Sequence, residues 1–212
     1  METRRAPNRR GEGTKLREEI LEAARALVEE GGEQSVSLRA VARGIGIAAP
    51  SIYAHFADRE AIVSALVDEA FEELSEVIVS AMDREIDPVA RLRSACAAYV
   101  EFAIGRPNRY QLAFAAREAN STPRASATRT FELLVDAVHA CIEAGSSLSK
   151  DAFGDATAIW VALHGYATQR SARPAFPWPA TEATLARIVD GLAVLITAPR
   201  SARKPKRRGK SG

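Results

Sequence analysis

Apolar residues recur at spacings of three and four along nearly the whole chain, and no strand-like alternation lasts more than a few residues. The pattern restricts the chain to an all-α fold. Glycine and proline cut it into pieces: Gly31-Gly32, Gly44 and Gly46 in the first third, then Pro88, Pro107, Pro123 and the run Pro174 to Pro179. The spacing predicts a helix from a Thr14 cap to Gly31, with Leu16, Ile20, Leu27 and Val28 inward. A short helix should follow from Ser37 to Arg43, then a tight Gly44-Ile45-Gly46 turn. The next helix, from about Ala48 to His55 or Phe56, tolerates Pro50 in its first turn. A long helix capped by Asp58 carries the chain away to about residue 80. Further helices are predicted near Pro88 to Ile104, Tyr110 to Ala119, Ser126 to Ala144, Phe153 to Ala172 and Thr181 to Ile196.

At 212 residues, 47% hydrophobic and 26% charged, such a chain can bury a core as one large domain or as two small ones sharing an interface. The charge is unevenly spread. Seven cations follow Pro199 and the first thirteen residues add +2, so the total of +2 leaves −7 for Thr14 to Pro199. A flexible basic arm, 1–13, and a disordered basic tail, 200–212, are therefore expected, either merely solvated or in contact with phosphate.

Cys96 and Cys141 lie far apart outside any metal-type spacing, which suits a reducing compartment. The apolar stretch Leu185 to Ala198 is interrupted by Arg187 and Asp190 and is too short for a bilayer. Arg4, Arg5, Arg9 and Arg10 precede no apolar run of the secretory kind, so a cytoplasmic location is expected.

Three helices with a glycine-bearing turn between the last two have the proportions of a helix-turn-helix, whose last helix enters a major groove. From Ser37 to Ala57 there are two arginines, Arg39 and Arg43, and no acidic residue, in a body otherwise acidic. Small residues Ala48, Ala49 and Ser51 let the backbone approach the bases, and the helix N-terminus itself favours phosphate. A small helical hairpin packed on the body would have the same spacing.

Ser37-Leu38-Arg39-Ala40-Val41-Ala42, then Gly44-Ile45-Gly46-Ile47, then Ser51-Ile52-Tyr53-Ala54-His55-Phe56-Ala57-Asp58-Arg59-Glu60-Ala61 closely resembles the N-terminal domain of TetR-family transcriptional regulators. The resemblance runs from Thr14 to about Leu74 and implies a DNA-binding domain at 14–60, with the motif at about 37–56, ahead of a ligand-binding and dimerisation domain at 81–199. It implies backbone contacts for Ser37 and Arg39, groove or phosphate contacts for Ser51, Tyr53 and His55, and a phosphate near Arg59. With Ala48 and Ala49 joining them as groove-facing positions, direct base reading is expected to be sparse, leaving thymine methyls, phosphates and DNA shape. Tyr53 as core packing, His55 as a helix-end cap and Ser51 as an idle hydroxyl are the alternatives.

Trp160-Val161-Ala162-Leu163-His164-Gly165 resembles the tryptophan-histidine-glycine signature of one subgroup of the family, and Tyr99 to Ala103 with Pro107-x-x-Tyr110 resembles the segment before it. Cys96, Tyr99, Phe102, Phe114, Phe131, Trp160 and His164, with Tyr166, either line an apolar ligand cavity or make ordinary core. Gly165, Leu185, Ile188, Leu192 and Leu195, with Val189, are candidates for a dimer face. The resulting expectation is a homodimeric, ligand-responsive repressor of an inverted-repeat operator, with an unidentified small-molecule effector and no cofactor, metal or membrane partner. The other reading is a helical ligand-sensing or interaction protein without specific DNA binding. No G-x-S-x-G, phosphate-binding glycine loop or H-E-x-x-H occurs, and His55, His139 and His164 are scattered, so no enzyme is expected.

Overall fold

The computed structural model describes residues 12–115 and 124–196. The arm and tail expected at 1–13 and 200–212 lie outside them, apart from the backbone at 12–13. Among the described residues the chain forms α1 (Glu12–Gly31), α2 (Leu38–Gly44), α3 (Arg59–Met82), α4 (Pro88–Gly105), α5 (Pro107–Phe114), α6 (Ala125–Glu143), α7 (Ala152–Ala172) and α8 (Thr181–Leu192). Short 3-10 segments at Glu33–Ser35 and Ala49–Ala54 complete the first third. No helix among the described residues is long and apolar enough to cross a membrane.

The helix starts follow from capping chemistry. Ser37 accepts from the Ala40 N–H at 3.2 Å, Asp58 from Ala61 at 2.7 Å, Asp87 from Ala90 at 2.8 Å and Asp151 from Gly154 at 2.9 Å. Each satisfies an N–H that a helix leaves without an internal partner. Pro88 and Pro107 occupy first turns, where a missing N–H costs nothing, so α5 begins three residues earlier than the apolar spacing predicted. The first helix opens at Glu12 rather than after a Thr14 cap. Gly32 (φ 73°) and Gly46 (φ 69°) take left-handed backbone at the two turns of the N-terminal unit.

Two elements differ in kind from the sequence expectation. The segment after the Gly44–Gly46 turn is a six-residue 3-10 helix: the Ser51 N–H reaches Ala48 O at 2.9 Å, one residue nearer than an α-helix would require. Pro50 has no N–H to place on the ladder, which leaves too few bonds to propagate a regular α-turn in so short a piece. The chain also leaves the helix at Leu192, four residues before the predicted end. Val194 (φ 48°) turns it back, and Leu195 pairs with Ser147 in an isolated antiparallel bridge, with Ser147 Oγ donating to Ala193 O at 2.6 Å.

One apolar core runs through the molecule. In the N-terminal unit Ile20, Val28, Val41, Ile52, Phe56 and Ile62 are buried. α3 contributes Ile62, Val63 and Leu66 to that unit and Phe71, Leu74 and Ile78 to the bundle of α4, α6 and α7, so a single rod belongs to both.

Candidate nucleic-acid interface and ligand cavity

The N-terminal unit exposes several cations. Arg39 and Arg43 on α2 are exposed, as are Lys15 and Arg17 at the start of α1, and Arg17 lies 5.0 Å from the centroid of the Phe56 ring. Ser37 is exposed but already caps α2 through its oxygen, leaving its hydroxyl hydrogen to donate. On the 3-10 helix, Ala48 and Ser51 are exposed, Ala49 and His55 are half-buried, and Tyr53 is 59% exposed. Ile52 and Phe56 instead point inward and hold the segment on the core, so Tyr53 is surface and not packing. A six-residue 3-10 helix has little aligned dipole, so its N-terminus is a weak anchor for phosphate.

Arg59 departs from its expected role. Its Nε donates to Val36 O at 2.8 Å, one Nη to Glu33 O at 2.9 Å and the other to the Glu60 carboxylate at 2.9 Å. The guanidinium clamps the 3-10 turn Glu33–Ser35 to the start of α3, and its donors face these carbonyls rather than a DNA backbone. Arg43, Lys15 and Arg17, absent from the site predicted from the motif, lie on the exposed cationic surface. Their signal in the sequence was a positive charge without a nearby acid at 37–57, and for α1 there was none.

The body holds a cavity of about 510 Å³, partly open to solvent, between α3, α4, α5, α6 and α7. Of the candidates named in the sequence, Cys96, Tyr99, Phe114, Phe131 and Trp160 line it. Phe102 does not: it is buried elsewhere on α4 under the Arg106 guanidinium. His164 stands behind the wall, its ring 5.1 Å from Phe114 and 6.1 Å from Trp160. Tyr166 packs against Trp178 away from the cavity. Phe71, Ile78, Thr130, Phe153 and Leu163 line it without having been singled out. Phe71 and Ile78 sit seven residues apart on α3's apolar stripe, a pattern equally good for plain core.

A polar chain closes one side. The Tyr99 and Tyr110 hydroxyls are 2.9 Å apart, and the Tyr110 hydroxyl is 2.7 Å from His164 Nδ1. Burial pushes His164 below its ordinary pKa, so the ring is neutral and Nδ1 accepts from Tyr110 in one tautomer or donates to it in the other. Burial raises Tyr110 to about 12 and Cys96 to about 12, so phenol and thiol both stay protonated. Among the described residues no cluster of His, Cys, Asp or Glu is placed to hold a metal ion.

The predicted dimer face is only partly available. Leu185, Val189 and Leu195 are buried within the chain against its own helices, because α8 turns its apolar stripe onto α4 and α7. Ile188 and Leu192 are half-buried in the same packing. Gly165 is exposed, and a methyl group there would meet nothing within 4 Å, so no close approach inside the chain requires it. Around it α7 leaves Ala158, Val161 and Thr168 exposed, a strip of small side chains on one face.

A helix-turn-helix unit and a helical body with a cavity, joined by one long helix, make up the described chain. A family model described as "Bacterial regulatory proteins, tetR family" matches residues 20–66, and one described as "Tetracyclin repressor-like, C-terminal domain" matches residues 92–192. The chain thus carries both domains of the TetR family and is a transcriptional regulator. A Rhodococcus protein of unknown function is 26% identical, with a TM-score of 0.74 over 84% of this chain and 93% of that one. The transcriptional regulator FadR from Bacillus subtilis, solved in complex with stearoyl-CoA, is 17% identical with a TM-score of 0.67, covering 85% and 99%. The fatty acid degradation regulator FadR from Bacillus halodurans is 17% identical with a TM-score of 0.65, covering 88% and 97%. At such identities the FadR likenesses concern the fold.

Proposed function

We propose that this regulator is a cytoplasmic, ligand-responsive homodimer that represses transcription from an inverted-repeat operator. The observation that carries the reading is the double membership of α3. Its first turns are packed into the DNA-reading head and its later turns line the cavity, so a molecule that displaces Phe71 or Ile78 tilts the head. A ligand that fits the non-binding geometry better shifts the population by its differential affinity and relieves repression.

Contacts with DNA are assigned to Ser37, Arg39, Arg43, Ser51, Tyr53 and His55, with Ala48 and Ala49 against the bases. Two heads are needed because one short helix covers little DNA, whereas a symmetric pair spans half-sites about 34 Å apart. The exposed α7 strip around Gly165, with the exposed side of α8 at Arg187, is the surface we assign to the twofold contact. Trp160, His164 and Gly165 in their observed places support the tryptophan-histidine-glycine subgroup. The effector is a small molecule held in the cavity, and no cofactor is invoked.

The test is fluorescence anisotropy at two salt concentrations against the DNA upstream of the chain's own gene and a scrambled control. Dimer-stoichiometric binding that discriminates against the control is expected. Equal, steeply salt-dependent binding to both would count against a specific operator in that fragment and for purely electrostatic contact.

A further inference from the structure

We infer that the cavity selects an uncharged, mostly hydrocarbon molecule of roughly 15 to 25 non-hydrogen atoms, the size that about 510 Å³ holds at ordinary packing density, and rejects anions. The inference rests on the regulatory reading of the cavity and names its ligand class. Its walls are aromatic and aliphatic, and among the described residues none of the side chains lining it carries a charge. Apart from Thr128, which is exposed, its hydroxyls are engaged within the chain. Thr130 Oγ1 lies 2.7 Å from Ser75 Oγ and donates to Ser126 O at 2.9 Å, Thr157 donates to its own helix at Phe153 O, and the Tyr99 hydroxyl is bonded to Tyr110.

The nearby acids of α3 are either exposed, as are Glu72 and Glu76, or paired with other side chains. Asp68 is held by Arg124 and Ser126, and Glu73 by Arg106 and Arg109. A carboxylate, sulfonate or phosphate inside would exchange water for phenyl and indole rings with no cation to meet it, a transfer that is costly unless the charge is paired. A neutral ring system has the opposite balance: Phe71 and Phe114, and Phe131 with Phe153 and Trp160, already adopt edge-to-face geometries that a guest ring can extend. Such a guest can use the Tyr99 hydroxyl, which accepts or donates according to the His164 tautomer, and the Thr128 hydroxyl, both uncharged.

The test titrates the full chain with N-phenyl-1-naphthylamine and 1-anilinonaphthalene-8-sulfonate, the same ring system without and with a negative charge, by fluorescence enhancement. The neutral probe is expected to saturate at one per chain and to bind at least tenfold more tightly than the sulfonate. Ala127→Trp and, independently, Thr157→Trp fill half-buried wall positions and should each weaken the neutral probe at least tenfold, with the circular-dichroism melt confirming folded protein. Thr157→Lys should shift the preference towards the sulfonate by at least tenfold. Equal or tighter binding of the sulfonate to the unmodified chain, or neutral-probe binding indifferent to both tryptophans, would overturn the inference. Operator binding measured without probe reports separately on the regulatory reading. A chain that prefers the neutral probe but binds no operator keeps the ligand class and loses the regulator, and one that binds operator yet prefers the sulfonate does the reverse.

Discussion

At the scale of single residues, two arginines of the same motif do different work because of what lies within reach of each. Arg39 is exposed on α2 and free to meet a phosphate, while Arg59 spends its donors on Val36, Glu33 and Glu60. Arg39→Ala and Tyr53→Ala are each expected to weaken operator binding at least tenfold with an unchanged melting temperature, measured by anisotropy and calorimetry. Arg59→Ala should instead destabilise the fold by about 1 to 3 kcal/mol, since two carbonyls lose their charged donor, and urea unfolding checks it. An Arg59→Ala protein of full stability and poor DNA affinity would restore the phosphate role. The motif placed Ser37, Arg39, Ser51 and Tyr53 on the exposed side from the sequence alone. It could not show that Arg59 turns inward, because its partners Glu33 and Val36 are brought near only when α3 packs across the turn.

Among elements, the short helix α5 is the most revealing. One face sends Phe114 to the cavity wall with Tyr110 packed against it, and its first turn reaches the head, where Asn108 Nδ2 donates to Glu29 O at 2.9 Å, while Arg109 pairs with Glu73 of α3 at 3.0 Å. The Tyr99, Tyr110 and His164 chain in turn ties α4, α5 and α7 together. Because the folded His164 has a lowered pKa, the unfolded chain binds its proton more readily, so stability is full above about pH 6.5 and falls as pH drops below that value. The melting temperature should therefore decline between pH 7.5 and 5.5, and His164→Gln should make that decline shallower. An identical slope in the variant would remove His164 from the account. Helix existence and caps were legible from periodicity and from Ser37, Asp58 and the prolines. The 3-10 character at Ala49–Ala54 and the reversal at Val194 were not, since both depend on a few backbone bonds that no apolar pattern records.

For the molecule as a whole, the exposed α7 strip is the surface we propose for the twofold contact. Gly165→Arg places a long cation where nothing in the chain opposes it, so the fold should persist while sedimentation shifts towards monomer and operator affinity drops at least tenfold. A dimer that survives this change with full affinity would move the interface elsewhere. The leucines expected at that interface went inward, because apolar periodicity states that a face is buried without stating against which partner. The sequence by itself determined the helical class, the helix-turn-helix head and its exposed cations, since these follow from local spacing, capping and charge within about sixty residues. Tertiary structure alone decided which apolar residues line a cavity and which fill the core, and which arginine clamps the head. Those outcomes depend on packing between helices distant in the chain, where a phenylalanine facing a gap and one facing a neighbour have the same sequence signature.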